Sequence, residues 1–374
     1  MFLIKIYSVI VIIFKHILIL IKFIDFNILM NKELYNKKSK EQLRQKLNSE
    51  AFDRTTCSFY KYVELNDIID FRDRLYIDWN ELKVLGRVYL SKEGVNAQVS
   101  IPNHNLSAFK KHVYSYKEFE NVDFKVAIQE GDSFYKLNIK IKDEIVAYKI
   151  ANDEYDMDHV GQHLNYKEFN NAINNGAIVV DVRNYYEGEV GKFENAIIPD
   201  VDASIELLPE IKKILNDKRD EKILMYCTGG IRCEKASAYL IHHGFKDVNQ
   251  LKGGIIQYAN DIKENNEDSK FIGKNFVFDH RLGERITEHI IGKCHQCNKP
   301  SDMHTNCVNQ ACHILFIQCK TCASKYDKCC SMGCSDFIKL SIERQKELFK
   351  AGKMKFTAQK SNSIKPKLYK VKDK

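Results

Sequence analysis

The chain of 374 residues has no glycine-rich dinucleotide turn, no flavin or nicotinamide fingerprint and no two-histidine, one-carboxylate iron triad. No nucleotide cofactor is therefore evident from its motifs. It also lacks a strong charge of either sign: 58 lysines and arginines against 50 aspartates and glutamates leave a formal net charge of +8. That balance is compatible with a nucleic-acid partner but does not argue for one by itself. Cysteine is scarce ahead of Cys294, where only Cys57, Cys227 and Cys233 occur, and the other nine of the twelve crowd between Cys294 and Cys334. A secretion signal is missing too, because no small-residue cleavage site follows the one long apolar stretch, Phe2 to Ile24.

Taken literally, that apolar stretch is a membrane anchor. Lys5, Lys15, His16 and Lys22 interrupt it, and a charge at mid-helix costs about 3 kcal/mol on insertion scales. Met30 then opens a polar helical segment over residues 30–51. The expectation is that translation starts at Met30, with residues 1–29 an upstream misreading. No stable membrane association follows from that start, and the protein is expected in the cytoplasm.

The rest of the chain is long enough for two or three domains. Its centre is Lys222 to Leu240. Ile223-Leu224-Met225-Tyr226 reads as a strand buried on both faces, and Arg232 to Leu240 as a helix free of Pro and Gly. Between them, Cys227-Thr228-Gly229-Gly230-Ile231-Arg232 suits an anionic sulfur. Gly229 and Gly230 let backbone N–H groups turn inward as a nest, while the helix start and Arg232 add positive potential. Cys227 is therefore expected as a thiolate near neutral pH. The plainer alternative is a small buried hydrophobe in a tight turn, but such a turn has no use for the arginine. The six-residue Cys-x4-Arg loop is one residue shorter than the phosphate cradle of cysteine phosphatases and fits a persulfide sulfur.

This loop resembles that of a rhodanese domain, expected over residues 160–265. Asp181-Val182-Arg183 resembles the opening Asp-x-Arg of that pattern, followed by Glu187, Gly191 and Ala196. Gly244-Phe245, Val248 and Leu251-Lys252-Gly253-Gly254-Ile255 resemble its close, with Tyr258 where Trp is common and Lys192 departing from the usual neighbour. The resemblance marks Cys227 and Arg232, with Asp181 and Arg183, as the catalytic set. Cys233 has two readings: a resolving thiol beside a reactive one, or a cysteine facing the core from the first helical turn.

Residues 52–155 alternate as a small α+β domain. Strands over Phe59–Val63, Gly86–Leu90, Ala97–Ile101 and Phe134–Ile141, with a helix over Leu106–Glu118, give the strand–helix–strand–strand–helix–strand order of a ferredoxin-like fold. Lys140 and Lys142 lie along one strand face, either a solvated surface or a phosphate-contacting one. No chemistry is expected of this domain alone.

Together, the Lys92-Glu93-Gly94-Val95-Asn96 turn, Asp181-Val182-Arg183-Asn184-x-Tyr186-Glu187, and Cys227 to Lys235, followed by a cysteine-rich tail, resemble the bacterial tRNA wobble-uridine hydroxylase family. Ala97-Gln98 departs from the usual Gly-Thr. The resemblance implies 5-hydroxyuridine formation at the wobble position of the tRNA anticodon loop, with molecular oxygen as co-substrate, Cys227 as the active cysteine and a sulfur or electron donor as a candidate further partner. The stretch Asp279 to Arg285 also recurs in the family, and makes Arg281 and Arg285 candidate phosphate or substrate contacts, against a role in interdomain salt bridges. Asn265 to Lys274 reads as a linker and Phe276–Asp279 as a short strand.

In the tail, placed at residues 276–340, Cys294/Cys297, Cys307/Cys312, Cys319/Cys322 and Cys330/Cys334 form four close pairs. A segment poor in apolar residues can be folded by tetrahedral thiolate ligation, so two structural zinc ions are expected, with disulfides the rival in an oxidising compartment. Cys329 competes with Cys330 for one place, and Cys330 is favoured. The grouping stays open between consecutive pairs sharing an ion and alternate pairs cross-bracing. A helix over Ile338–Phe349 and a basic disordered tail over residues 350–374 close the chain. The fold class is thus α/β multidomain. The function that the resemblance implies is that of a tRNA uridine hydroxylase, the alternative is a rhodanese-type sulfurtransferase, and a non-enzymatic zinc-bearing adaptor fits the intact loop less well.

Overall fold

The computed structural model describes residues 38–351 except Asp202. The apolar 1–29 segment, Met30, the opening of the 30–51 helix and the tail beyond Ala351 lie outside the described residues. Among the described residues no helix is long and apolar enough to cross a membrane.

Helix α1 (Lys40–Asn48) starts in a capping box between Ser39 and Gln42, which satisfies two otherwise orphan N–H groups. The first domain follows: β1 (Arg54–Tyr62), α2 (Ile68–Glu81), β2 (Leu85–Ser91), β3 (Gly94–Pro102), α3 (Leu106–Tyr114), β4 (Lys125–Val126) and β5 (Leu137–Ile141). The sheet order is β4-β1-β3-β2-β5, with β1, β3 and β4 antiparallel to their neighbours, which is the ferredoxin-like arrangement with one strand added. The expected fourth strand is displaced: β4 is only the two residues Lys125–Val126, and the stretch expected as Phe134–Ile141 narrows to β5, which pairs parallel to β2 at the far edge. One face of the sheet is apolar and closes over α2 and α3 through Phe59, Trp79 and Phe109. The alternate residues Tyr60, Arg87, Tyr89, Asn96 and Gln98 point to the other face, which fronts the second domain.

The second domain contains β6 (Gln162–Leu164), α4 (Tyr166–Asn174), β7 (Ile178–Asp181), α5 (Tyr185–Gly188), β8 (Gly191–Phe193), α6 (Ser204–Ile214), β9 (Lys222–Tyr226), α7 (Ile231–His242), β10 (Asp247–Leu251) and α8 (Gly254–Asn265). Its parallel sheet runs β6-β10-β9-β7. Strand β9 is buried on both faces as its run of apolar residues requires: Ile223 and Met225 pack toward α6 and α7, Leu224 and Tyr226 toward α4 and α8. The sheet thus delivers Cys227 to its carboxyl end, where α/β folds place their ligands.

The presumed linker is instead structural. Within it, β11 (Phe271–Asn275) pairs antiparallel with β8 and with β12 (Glu284–Arg285), and Phe276–Asp279 is not a strand but an extended wall segment. Phe271 and Gly273 alternate as buried residues, so polarity alone misled the reading there. The cysteine-rich part comprises the hairpin β13 (His304–Asn306) and β14 (Leu315–Ile317), α9 (Lys320–Lys325) and α10 (Met332–Ile338), followed by α11 (Ile342–Lys350).

The first domain docks directly on α7. The fully buried Lys235 ammonium reaches Glu93 at 2.8 Å and Glu144 at 3.1 Å. Tyr60 donates to Glu234 at 2.8 Å, and Tyr62 and Tyr148 reach the carbonyl oxygens of Ile231 and Arg232, each at 3.4 Å. Removing one member of a buried ion cluster strands the others. Lys235→Ala should therefore cost about 3 kcal/mol, read as a lowered urea midpoint, with faster proteolysis between the two domains.

Candidate functional site

Two backbone devices shape the turn after β9. Gly230 has φ +98°, closed to most side chains, and Gly254 at the start of α8 lies so close that a Cβ there would stand 2.6 Å from the Cys227 carbonyl oxygen. The amides of Ile255 and Ile256 donate to the carbonyls of Cys227 and Thr228 at 3.0 and 3.1 Å, so α8 clamps the loop from outside. Inside it, the Gly230 amide donates to Cys227 Sγ at 3.1 Å. Burial would push this fully enclosed thiol up. A hydrogen bond from Cys233, the charge of Arg232 and the amides of Arg232 and Gly230 outweigh it and bring the pKa down to about 6. Cys233 is itself buried, and burial together with its neighbour's negative charge holds its thiol well above the usual range. Cys233 thus faces the core and also lies in hydrogen-bond contact with the Cys227 sulfur.

Arg232 does not point its guanidinium only at the sulfur. It forms a bidentate pair with Glu187 at 2.6 and 2.9 Å and donates to Thr228 Oγ1 at 3.0 Å. Burial alone would raise the Glu187 carboxyl; Arg232 overrides this and lowers it. The pair fixes the loop's far end while its cation still acts on Cys227 over a short distance.

Asp181 and Arg183 need a correction. Neither lines the cavity described below, and both are completely buried. Arg183 binds both carboxylate oxygens of Asp181 at 2.8 and 2.7 Å and the Gly191 carbonyl at 2.7 Å, while the Tyr226 hydroxyl donates to Asp181. They lock the end of β7 to β8 and β9, and act as positioning residues beneath the loop.

A cavity of about 330 Å³ lies between the polar face of the first sheet and the loop. Thr228, Gly229 and Arg232 form one wall, Tyr60, Tyr89 and Lys125 the opposite one, and Phe278 to Arg281 a third. Its volume is that of a small-ligand site. Among the sequence candidates, Gly229 and Arg281 line it, Gly230 sits under Tyr60, and Arg285 is turned away into an ion pair with Asp302. Arg281 is held by Asp279 and Glu284 at 2.5 and 2.6 Å, so its charge is already matched. Lys140 and Lys142 are outside the lining. Lys140 pairs with Tyr89 across β5 and β2, and the Lys142 ammonium stands 5.7 Å from the Tyr89 ring, which puts both lysines at the rim. The residues sequence reasoning missed are those of the first domain, Tyr60, Tyr89 and Lys125 with the docking acid Glu93. The one available signal was aromatic residues at alternate positions on the strand face away from the core.

The tail cysteines form two groups, Cys294/Cys297/Cys319/Cys322 and Cys307/Cys312/Cys330/Cys334, and in each the four sulfurs lie within 4.8 Å of one another. Alternate pairs combine, so the two groups interleave as a cross-brace. Cys330 takes the contested place, and the backbone oxygen of Cys329 instead accepts from Gln296 and Gln318. Contact with Cys307 and its neighbours pushes the Cys330 thiol up, as crowded thiols must until a cation shares their charge. Four thiol donors at this spacing suit a tetrahedral metal. His295 lies outside both groups and shares a contact with Glu189 at 3.1 Å.

The ultraviolet thiolate absorbance lost in Cys227→Ala should titrate near pH 6 in the wild-type protein. Cys233→Ala should move that midpoint upward by roughly one pH unit, the size of one hydrogen bond to a charged group. An unmoved midpoint would show that Cys233 does not contribute to holding the charge.

Comparison with known proteins agrees with this architecture. The UPF0176 acylphosphatase like domain matches residues 54–145, the Rhodanese-like domain residues 165–261 and the Rhodanase C-terminal family residues 272–335. A relative from Leptospira interrogans named tRNA uridine(34) hydroxylase is 50% identical over 90% of this chain and 92% of its own length. A second relative of that name, from Pectobacterium carotovorum, is 48% identical over 84% and 90%. Among solved structures, a rhodanese-related protein from Thermoplasma volcanium aligns with 27% of this chain and 92% of its own at 28% identity and a TM-score of 0.23. With half of its residues shared across nearly the full length of such relatives, the chain belongs to the tRNA uridine(34) hydroxylase family.

Proposed function

We propose that this protein hydroxylates C5 of uridine 34 in tRNA, with molecular oxygen as co-substrate and Cys227 as the reacting group. The observation that carries the reading is the 50% identity over 92% of a relative bearing that name, in a chain whose Cys227 loop is intact and charged as described. The anticodon loop is the partner surface, since its unpaired bases can be turned outward into a pocket, and such an enzyme works in the cytoplasm. Arg281 and Lys140 or Lys142 at the cavity rim are suited to the backbone of that loop.

Inserting one atom of O2 and reducing the other to water takes two electrons and two protons. Oxidation of a Cys227–Cys233 dithiol to a disulfide releases that number, so uridine, oxygen and two thiols balance as 5-hydroxyuridine, water and a disulfide. An external thiol or electron donor then restores the pair. The alternative, plain persulfide transfer, uses the same loop but leaves the walled cavity over it without a purpose.

In cells lacking the endogenous gene, wild-type protein should restore 5-hydroxyuridine-derived nucleosides at position 34, measured by mass spectrometry of tRNA digests, and Cys227→Ala should abolish them. Restoration by Cys227→Ala would sink the assignment and leave sulfur transfer. We also assign one structural zinc ion to each four-cysteine group. Protein purified under reducing conditions should carry two zinc ions per chain, and Cys312→Ser should carry one and melt lower. Finding neither zinc nor iron would remove the claim.

A further inference from the structure

The cavity beside the Cys227 loop is lined by four cations, and three of them are already engaged. Arg232 is paired with Glu187, Arg281 with Asp279 and Glu284, and Arg87 donates to the Phe278 carbonyl and to Gln98. Lys125 is the exception. It is only 7% exposed, yet among the described residues no carboxylate lies within ion-pair distance. Its one hydrogen bond is a long contact of 3.5 Å to the Asp123 carbonyl. Otherwise its ammonium stands 4.6 Å from the centre of the Tyr60 ring, and a Cβ on Gly253 would meet its Cε at 3.4 Å. Burying a cation without an ion pair is costly, and burial pushes its pKa down against the opposing charges of Asp123, Cys227 and Glu234. Two-residue β4 holds it on the wall of the cavity, opposite Ser58 in the register with β1.

A ligand that repays this arrangement must bring an electron-rich oxygen to a flat, aromatic-walled slot. Tyr60, Tyr89 and Phe278 contribute aromatic rings to the lining, and Asn96 and Gln98, bonded to each other, contribute side-chain amides, the residue types by which single-stranded bases are stacked and read. We propose that this cavity seats the uracil ring and that the Lys125 ammonium donates to its O4 carbonyl oxygen, which makes Lys125 both the reader of uridine and a catalytic cation. Addition of a thiolate to C6 would move the C5–C6 π pair into an enolate shared by C5 and O4, which C5 can present to oxygen, and later expulsion of the thiolate would restore the double bond; a preformed cation beside O4 stabilises that charge. Cytidine carries an amino group at the same position, which would turn its own donors toward the ammonium and leave both unsatisfied. The inference rests on the hydroxylase reading for its substrate, but its test does not require turnover.

The test is binding of the full chain to two anticodon stem-loop RNAs that differ only in uridine or cytidine at position 34. Wild type should prefer uridine by roughly tenfold or more, the worth of one charge-assisted hydrogen bond. Lys125→Met should bring the two affinities within about threefold while its melting temperature stays level or rises, since it deletes a buried unpaired charge; a merely structural lysine would give a drop. Lys125→Arg should restore part of the preference, and Lys125→Gln serves the same purpose as Met if Met prevents folding. A Lys125→Met protein that keeps the wild-type preference, or a wild type with none, overturns the inference. A wild type that prefers uridine but forms no 5-hydroxyuridine overturns the hydroxylase reading and leaves the base pocket standing.

Discussion

Everything in the second domain is arranged around one sulfur that would not ionise in its place without help. Complete burial works against the charge on Cys227, and only a set of short-range donors, the Gly230 amide, the Cys233 thiol and the cation of Arg232, reverses the sign. Such donors act only if they cannot move away. The Glu187–Arg232 pair, the Asp181–Arg183–Tyr226 lock and the clamp of α8 at Gly254 are each a way of denying the loop other conformations. Preorganisation of this kind is what distinguishes a reactive thiolate from a merely buried thiol.

The first domain changes what that loop is for. A rhodanese loop open to solvent would meet any small sulfur donor. Here Tyr60, Tyr62 and Tyr148 bond to α7 at the loop's own residues or the next turn. Lys235, Glu93 and Glu144 form a buried ion cluster that fixes the distance between sheet and helix. Cys227 itself is completely buried and does not line the cavity; the loop residues Thr228, Gly229 and Arg232 that cover it do, and they face the polar side of the first sheet. A domain in which the sequence alone suggested no chemistry supplies the wall, the aromatic rings and Lys125, a lining cation held in no ion pair among the described residues.

How much could be read ahead of the structure depended on whether a residue acts through its neighbours in sequence. The Cys227 loop was legible because its strand, glycines, arginine and helix follow one another, and so were the four cysteine pairs. The interleaving of those pairs was not, because consecutive and alternate groupings use the same spacings. Asp181 and Arg183 were recognised as belonging to the site but assigned the wrong task, since sequence order says nothing of which side of a strand end faces the ligand. Lys125 lies about a hundred residues before Cys227 on a two-residue strand, too short for any alternation to show. The polar look of residues 265–274 hid β11 because only every second residue of the strand is buried.

That misread strand connects the cysteine-rich part to the cavity. From β11, paired with β8 directly after the Asp181–Arg183 lock, the chain runs through Phe278 to Arg281 along the cavity. At Glu284 it accepts from Arg281 and from the Ile128 and Gln129 amides of the first domain. Glu284 is buried, and burial raises its carboxyl pKa, so its three donors are what keep it in place. Arg285 then ties to Asp302, and His295 to Glu189 behind β8. The third wall is thus strung between two fixed points, the three-stranded β12-β11-β8 sheet at one end and the interleaved cysteine groups at the other. Leu315 and Ile317 of the β13–β14 hairpin pack in one cluster with Tyr186, Val190 and Phe276, with Phe278 and Leu282 against it, so the packing of the cysteine-rich part bears directly on the segment that carries Phe278 and Arg281 along the cavity.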